Sequence, residues 1–143
     1  MTFSCLFLQQ ITTGFWEELT FRAFLIEGYW KRKNQNWNWR LFYATLSFII
    51  FGMIHAIEYT DNIGDAIDVF ISTGVMGFTF AAIYLYSHNI LVPMLLHFVY
   101  DIFANMQSFI KEWNIDNTLF LIFNNYILII AFIVMFASAV FLL

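Results

Sequence analysis

Five apolar stretches constrain this chain more than any other feature of its sequence: Phe3 to Trp30, Leu41 to Tyr59, Ile67 to Ser87, Asn89 to Phe109 and Leu119 to Leu143. Each approaches or exceeds the roughly 20 residues that carry a helix across the hydrocarbon core of a bilayer. In lipid every backbone N–H and C=O has to be satisfied within its own segment, so the stretches are read as helices. The same reading disposes of a surface problem. The chain is 62% hydrophobic and 11% charged over 143 residues, whereas a soluble domain of this size buries only about 70% of its surface and coats the rest with charge. The surplus is expected to face lipid. The expected fold is all-α: a multi-pass transmembrane bundle of about five helices, one domain over residues 1–143, in the cell membrane.

The connections set the orientation. Lys31, Arg32, Lys33 and Arg40 hold four of the six basic residues and are expected on the cytoplasmic side by the positive-inside rule. Asp61, Asp65 and Asp68 then fall on the opposite surface. They lack the spacing of a calcium loop and read as a solvated acidic cap. The sole proline, Pro93, stands near the start of the fourth helix, where its missing donor matters least. A net charge of -4 leaves no basic surface for a phosphate backbone, which excludes nucleic acid. The single cysteine, Cys5, excludes an internal disulfide, and nothing beside it would activate a thiolate. Met1 to Cys5 has no positive leader pattern, so the first stretch is expected to stay in the protein. Gly77 with Ala81 is a small-x-x-x-small pair, expected to pack within the chain, with a homo-oligomer contact as the alternative.

More than about a turn from the ends of the apolar stretches, the charged residues and histidines that remain inside are six: Glu17, Glu18, Arg22, His55, His97 and Asp101. Each charge at mid-bilayer costs on the order of 2.5 to 3.5 kcal/mol on insertion scales, so these groups are expected to share one polar interior. Counting about 1.5 Å per residue from the expected cytoplasmic helix ends puts Glu17 at roughly 21 Å depth, His55 at roughly 22 Å, His97 at roughly 14 Å and Asp101 at roughly 20 Å. Glu18 with Arg22, and His97 with Asp101, are i, i+4 pairs on one helix face each. A polar, water-filled intramembrane pocket enclosed by the first, second and fourth helices is the simplest arrangement. The plainer alternative is an ion pair that makes insertion tolerable, beside hydrogen-bonded core histidines.

The chemistry open to such a set is amide hydrolysis. A carboxylate beside a histidine can take a proton from water, and an imidazole N–H or a protonated acid can stabilise an oxyanion. Glu17 and Glu18 would divide the work, one as base and one held by Arg22. The metal alternative uses Glu17, His55, His97 and Asp101 as N and O ligands to zinc, although the soluble metalloprotease pattern H-E-x-x-H is absent.

Taken in order, Glu17-Glu18-x-x-x-Arg22, Phe51-x-x-x-His55 and His97-x-x-x-Asp101 resemble the signatures of the CPBP intramembrane proteases. This family includes the CAAX prenyl endopeptidases of the Ras-converting type and bacteriocin-immunity relatives. The segment Trp16 to Leu25 looks like the first signature, with Ala23 where glycine is usual. The resemblance covers about Phe15 to Asn105. It implies that Glu17 and His55 activate water, that Glu18 and Arg22 support them, and that His97 with the residue at 101 binds the oxyanion. The prenyl endopeptidases typically have asparagine at that last position, whereas Asp101 donates only when protonated. Family members usually carry further helices before the first signature, and here 16 residues precede Glu17, so a minimal or truncated member is expected.

The function expected from the sequence is therefore an intramembrane endopeptidase, acting on a polypeptide that is prenylated or bacteriocin-related. A glutamate-and-water mechanism is favoured over zinc. The rival is a non-catalytic membrane protein of immunity or scaffold type, which would bind a partner without needing a base.

Overall fold

The computed structural model describes residues 3–26, 36–59, 61–112 and 118–143. Among them all regular structure is helical. Helix α1 (Phe3–Glu18) runs on as a π-helical segment over Leu19–Phe24. Helix α2 (Trp37–Ala56) ends in a 3₁₀ turn at Ile57–Tyr59. Helices α3 (Ile63–Ser87), α4 (Leu91–Glu112) and α5 (Thr118–Leu142) complete the bundle. The expected all-α bundle of about five helices is the one observed among the described residues.

Among the described residues two stretches are long and apolar enough to cross a membrane, Trp37–Tyr59 and Ile63–Ser87, while Leu91–Asn105 and Tyr126–Leu142 are shorter apolar helices. Large apolar side chains stand on the outside throughout, among them Leu8, Phe24, Ile63, Ile130 and Phe141. That is the reverse of a soluble surface and suits a hydrocarbon solvent. Lys31, Arg32 and Lys33, on which the orientation rests, lie outside the described residues.

Caps move two helix starts ahead of the apolar stretches. Asn36 is extended, and its side-chain oxygen accepts from the Trp39 N–H at 3.2 Å, so α2 begins at Trp37 and not at Leu41. Asn62 does the same for the Gly64 N–H at 3.0 Å and donates to Asp65 at 2.9 Å, starting α3 at Ile63 and not at Ile67. Helices α3 and α4 are joined by a tight turn at His88, a left-handed residue with φ 53°. Asn89 then accepts from the Leu91 N–H at 3.0 Å, and Pro93 falls in the first turn of α4, buried. Asp61, Asp65 and Asp68 are exposed.

Helices α2 and α3 form a hairpin whose backbones nearly touch. A Cβ on Gly52 would lie 2.6 Å from the Phe70 carbonyl oxygen, and one on Gly77 would lie 2.8 Å from both the Ser47 carbonyl oxygen and the Phe51 Cβ. The small-residue pair Gly77 and Ala81 is thus spent inside the chain, as expected, with Ala81 fully buried. On the other side α1 lies against α4, where Phe7 meets Phe98 edge-on at 5.1 Å between centroids. Helix α5 packs on α3 through Phe136 and Phe78, 5.9 Å apart.

Every fourth residue of α1 and its continuation is buried: Gln10, Gly14, Glu18, Arg22 and Ile26. In a pure α-helix such a column drifts about 40° for every four residues, because the turn takes 3.6. The wider i→i+5 winding over Leu19–Phe24 takes drift out at the point where Glu18 and Arg22 have to share one face.

Candidate active site

The six ionisable residues singled out in the sequence meet in one place, between α1, α2, α3 and α4. They form two layers. The inner layer is dry. Glu18 and Arg22 are both 0% exposed, with Arg22 Nε 3.0 Å from Glu18 Oε2. Arg22 Nη2 donates to the Gly77 carbonyl of α3 at 3.4 Å, and the same oxygen accepts the Ser47 hydroxyl of α2 at 3.0 Å. The guanidinium carbon lies 4.8 Å from the Phe51 ring centroid and 5.6 Å from that of Phe80, so the flat cation is held against aromatic faces as well as by oxygen. One arginine from the α1 continuation thereby touches both α2 and α3.

Glu18 reaches a fourth helix. Its Oε1 lies 2.9 Å from His97 Nδ1 of α4. An arginine-paired carboxylate only accepts, so Nδ1 carries the proton and His97 turns Nε2 the other way. Phe80 stacks on the His97 ring at 5.0 Å and fixes its plane. His55 is oriented in the same manner, because its Nδ1–H donates to the Phe51 carbonyl at 2.8 Å and leaves Nε2 facing outward from α2.

Both Nε2 atoms face the outer, wet layer. Glu17 is 20% exposed, and its two oxygens are divided between the imidazoles: Oε1 lies 3.9 Å from His55 Nε2 and Oε2 lies 3.7 Å from His97 Nε2. Asp101 Oδ2 lies 3.6 Å from the same His97 nitrogen. These separations exceed a direct hydrogen bond and leave the carboxylate of Glu17 able to move toward either ring or toward a third group between them. All four line one pocket of about 380 Å³. Two carboxylates thus face one imidazole nitrogen, His97 Nε2.

The expectation that three helices enclose the pocket needs a correction. Helix α3 forms a wall as well, through Ser72, Thr73 and Met76, and it supplies the Gly77 carbonyl. It carries no ionisable group at this depth, so charge counting passed over it. Ser47 and Gln10 were missed for the same reason, since neutral hydroxyls and amides cost too little in lipid to stand out. Cys5 is exposed, away from the cluster.

For zinc, the donor types are suitable, because each ring has its second N–H committed, as in metal-bound histidines. The arrangement is not: among the described residues no group of three or more His, Cys, Asp and Glu side chains is placed to hold a metal ion.

A protein-family model described as type II CAAX prenyl endopeptidase Rce1-like matches residues 1–103. The chain belongs to this family. The Rce1-like match takes in α1 through most of α4 and all six residues of the cluster, and leaves α5 outside. No curated protein and no solved structure matches the chain. Rce1-like membership implies a membrane-embedded protease of CAAX type, in keeping with the apolar helices.

Proposed function

We propose that this chain is a multi-pass intramembrane endopeptidase in which Glu17 is the general base. The observation that carries the reading is the position of its carboxylate, in the pocket and between two imidazole nitrogens oriented by partners of their own. Such a carboxylate can take a proton from a water molecule held near His55, whose outward Nε2 accepts the second hydrogen. The hydroxide so formed adds to the scissile carbonyl carbon. The carbonyl π electrons move to oxygen, and the proton held between His97 Nε2 and Asp101 Oδ2 is placed to bind that oxyanion. Collapse of the tetrahedral species expels the amine, which takes the proton that Glu17 removed from water. Water is consumed, two peptide ends are produced, and the site returns to its starting protonation.

Glu18 and Arg22 touch no reacting atom in this scheme. They position His97, and through Phe51 and the Gly77 carbonyl they hold α2 and α3 around the pocket. The substrate is a polypeptide presented in the membrane, prenylated in the manner that the family description states for its members.

The test is cleavage of a membrane-presented peptide in proteoliposomes by the wild type, Glu17→Gln and His55→Ala. Both variants are expected to insert and fold as the wild type does while losing about 10²- to 10⁴-fold in rate. Wild-type rates in the variants would end the hydrolytic reading, and biological function retained by Glu17→Gln would favour a binding role. Cleavage is expected to continue after treatment with a chelator.

A further inference from the structure

The wet pocket extends past the reacting groups, and its far part holds a side chain for which hydrolysis has no use. Gln10 stands on α1 seven residues before Glu17, two turns away on the same face and about 10.5 Å along the axis. It is 6% exposed, it lines the same pocket as Glu17 and Asp101, and its amide hydrogen-bonds to no described residue. A side chain this buried, lining a cavity and without a hydrogen-bond partner among the described residues, points to a ligand that supplies both a donor and an acceptor.

The chemistry of that ligand follows from the amide and from the walls. A primary amide offers N–H and C=O side by side, the complement of a peptide group. An anionic ligand is disfavoured, because the pocket is walled by the Glu17 and Asp101 carboxylates and contains no lysine or arginine. Asn105, on the same pocket from α4, donates its N–H to the Asp101 carbonyl at 2.8 Å and keeps its own carbonyl as an acceptor. An extended chain advances about 3.3 Å per residue, so the separation of Gln10 from Glu17 corresponds to about three residues. We infer that Gln10 is a specificity-determining residue that grips the main chain of an extended peptide about three residues from the bond facing Glu17. This rests on the hydrolytic reading of the site.

The experiment is a backbone-ester scan. Peptides in which one amide at a time is replaced by an ester, on either side of the cleaved bond, are presented in proteoliposomes to the wild type and to Gln10→Leu. Gln10→Leu is expected to raise KM about fivefold, the value of one neutral hydrogen bond, with kcat within about twofold. In the wild type one ester, about three residues from the cleaved bond, is expected to raise KM by a similar factor, and that ester is expected to have no further effect in Gln10→Leu. Should Gln10→Leu fail to accumulate, the wild-type scan alone decides, since a scan without a maximum at that position overturns the inference. An unchanged KM in Gln10→Leu, a loss confined to kcat, or equal ester effects in both proteins would also overturn it. Wild type that cleaves every peptide, beside an indifferent Gln10→Leu, removes this inference alone; wild type that cleaves none removes the hydrolytic reading and the inference with it.

Discussion

Glu17 and Glu18 are neighbours in sequence and occupy two different regions of the molecule. Glu18 is sealed, opposite a buried guanidinium and an imidazole N–H. Glu17 opens on a cavity, and its nearest nitrogens lie 3.7 and 3.9 Å away. The dry region is held by contacts from four helices, and the wet one by contacts loose enough to change during a reaction. A helix turns about 100° between adjacent residues, which suffices to put one carboxylate in the scaffold and the next in the chemistry.

This division makes the two carboxylates fail in different ways, and the largest effect separates them. Glu17→Gln is expected to abolish turnover, by about 10²- to 10⁴-fold, with thermal stability in detergent unchanged; a variant that unfolds instead would merge the two regions. Arg22→Leu should do the opposite. It strands the buried Glu18 carboxylate, which costs about 3–5 kcal/mol, so loss of folded protein on size exclusion is expected. Replacing both partners, with Glu18→Leu and Arg22→Leu together, should recover much of that stability but not activity, because His97 loses the acceptor that orients it. Gly77→Ala is next. Its Cβ would press on the Ser47 carbonyl and Phe51 at 2.8 Å, for about 1–3 kcal/mol of overpacking read as a lowered melting temperature. Ser47→Ala should be mildest, near 1 kcal/mol, since the Gly77 carbonyl that it serves keeps Arg22 as a second donor.

Much of this was legible in the residues. The cost of charge in lipid forces Glu17, Glu18, Arg22, His55, His97 and Asp101 to find one another, and the i, i+4 spacings of Glu18 with Arg22 and of His97 with Asp101 gave each pair a common face. What was not legible carries little charge or no side-chain signal. The Gly77 carbonyl that anchors Arg22 belongs to the backbone, and Ser47, Thr73 and Gln10 are as consistent with a helix packed in lipid as with a pocket wall. Helix starts at Asn36 and Asn62 lay outside the hydropathy windows because a cap acts through one polar atom. Nor does any residue type announce a π segment, since the wider winding answers packing from both sides.

That winding has a consequence for length as opposed to composition. A π segment amounts to a helix carrying one surplus residue, so deleting a single outward-facing position within it, Leu19 or Thr20, would restore ordinary pitch. The half of α1 upstream would then keep nearly its present rotation relative to Arg22, because the wider winding had already absorbed the surplus residue, whereas the same deletion in the α-helical stretch between Gln10 and Glu17 would swivel one end against the other by about 100°. In this protein a one-codon deletion is therefore expected to be better tolerated within Leu19–Phe24 than anywhere in the α-helical run that precedes Glu17.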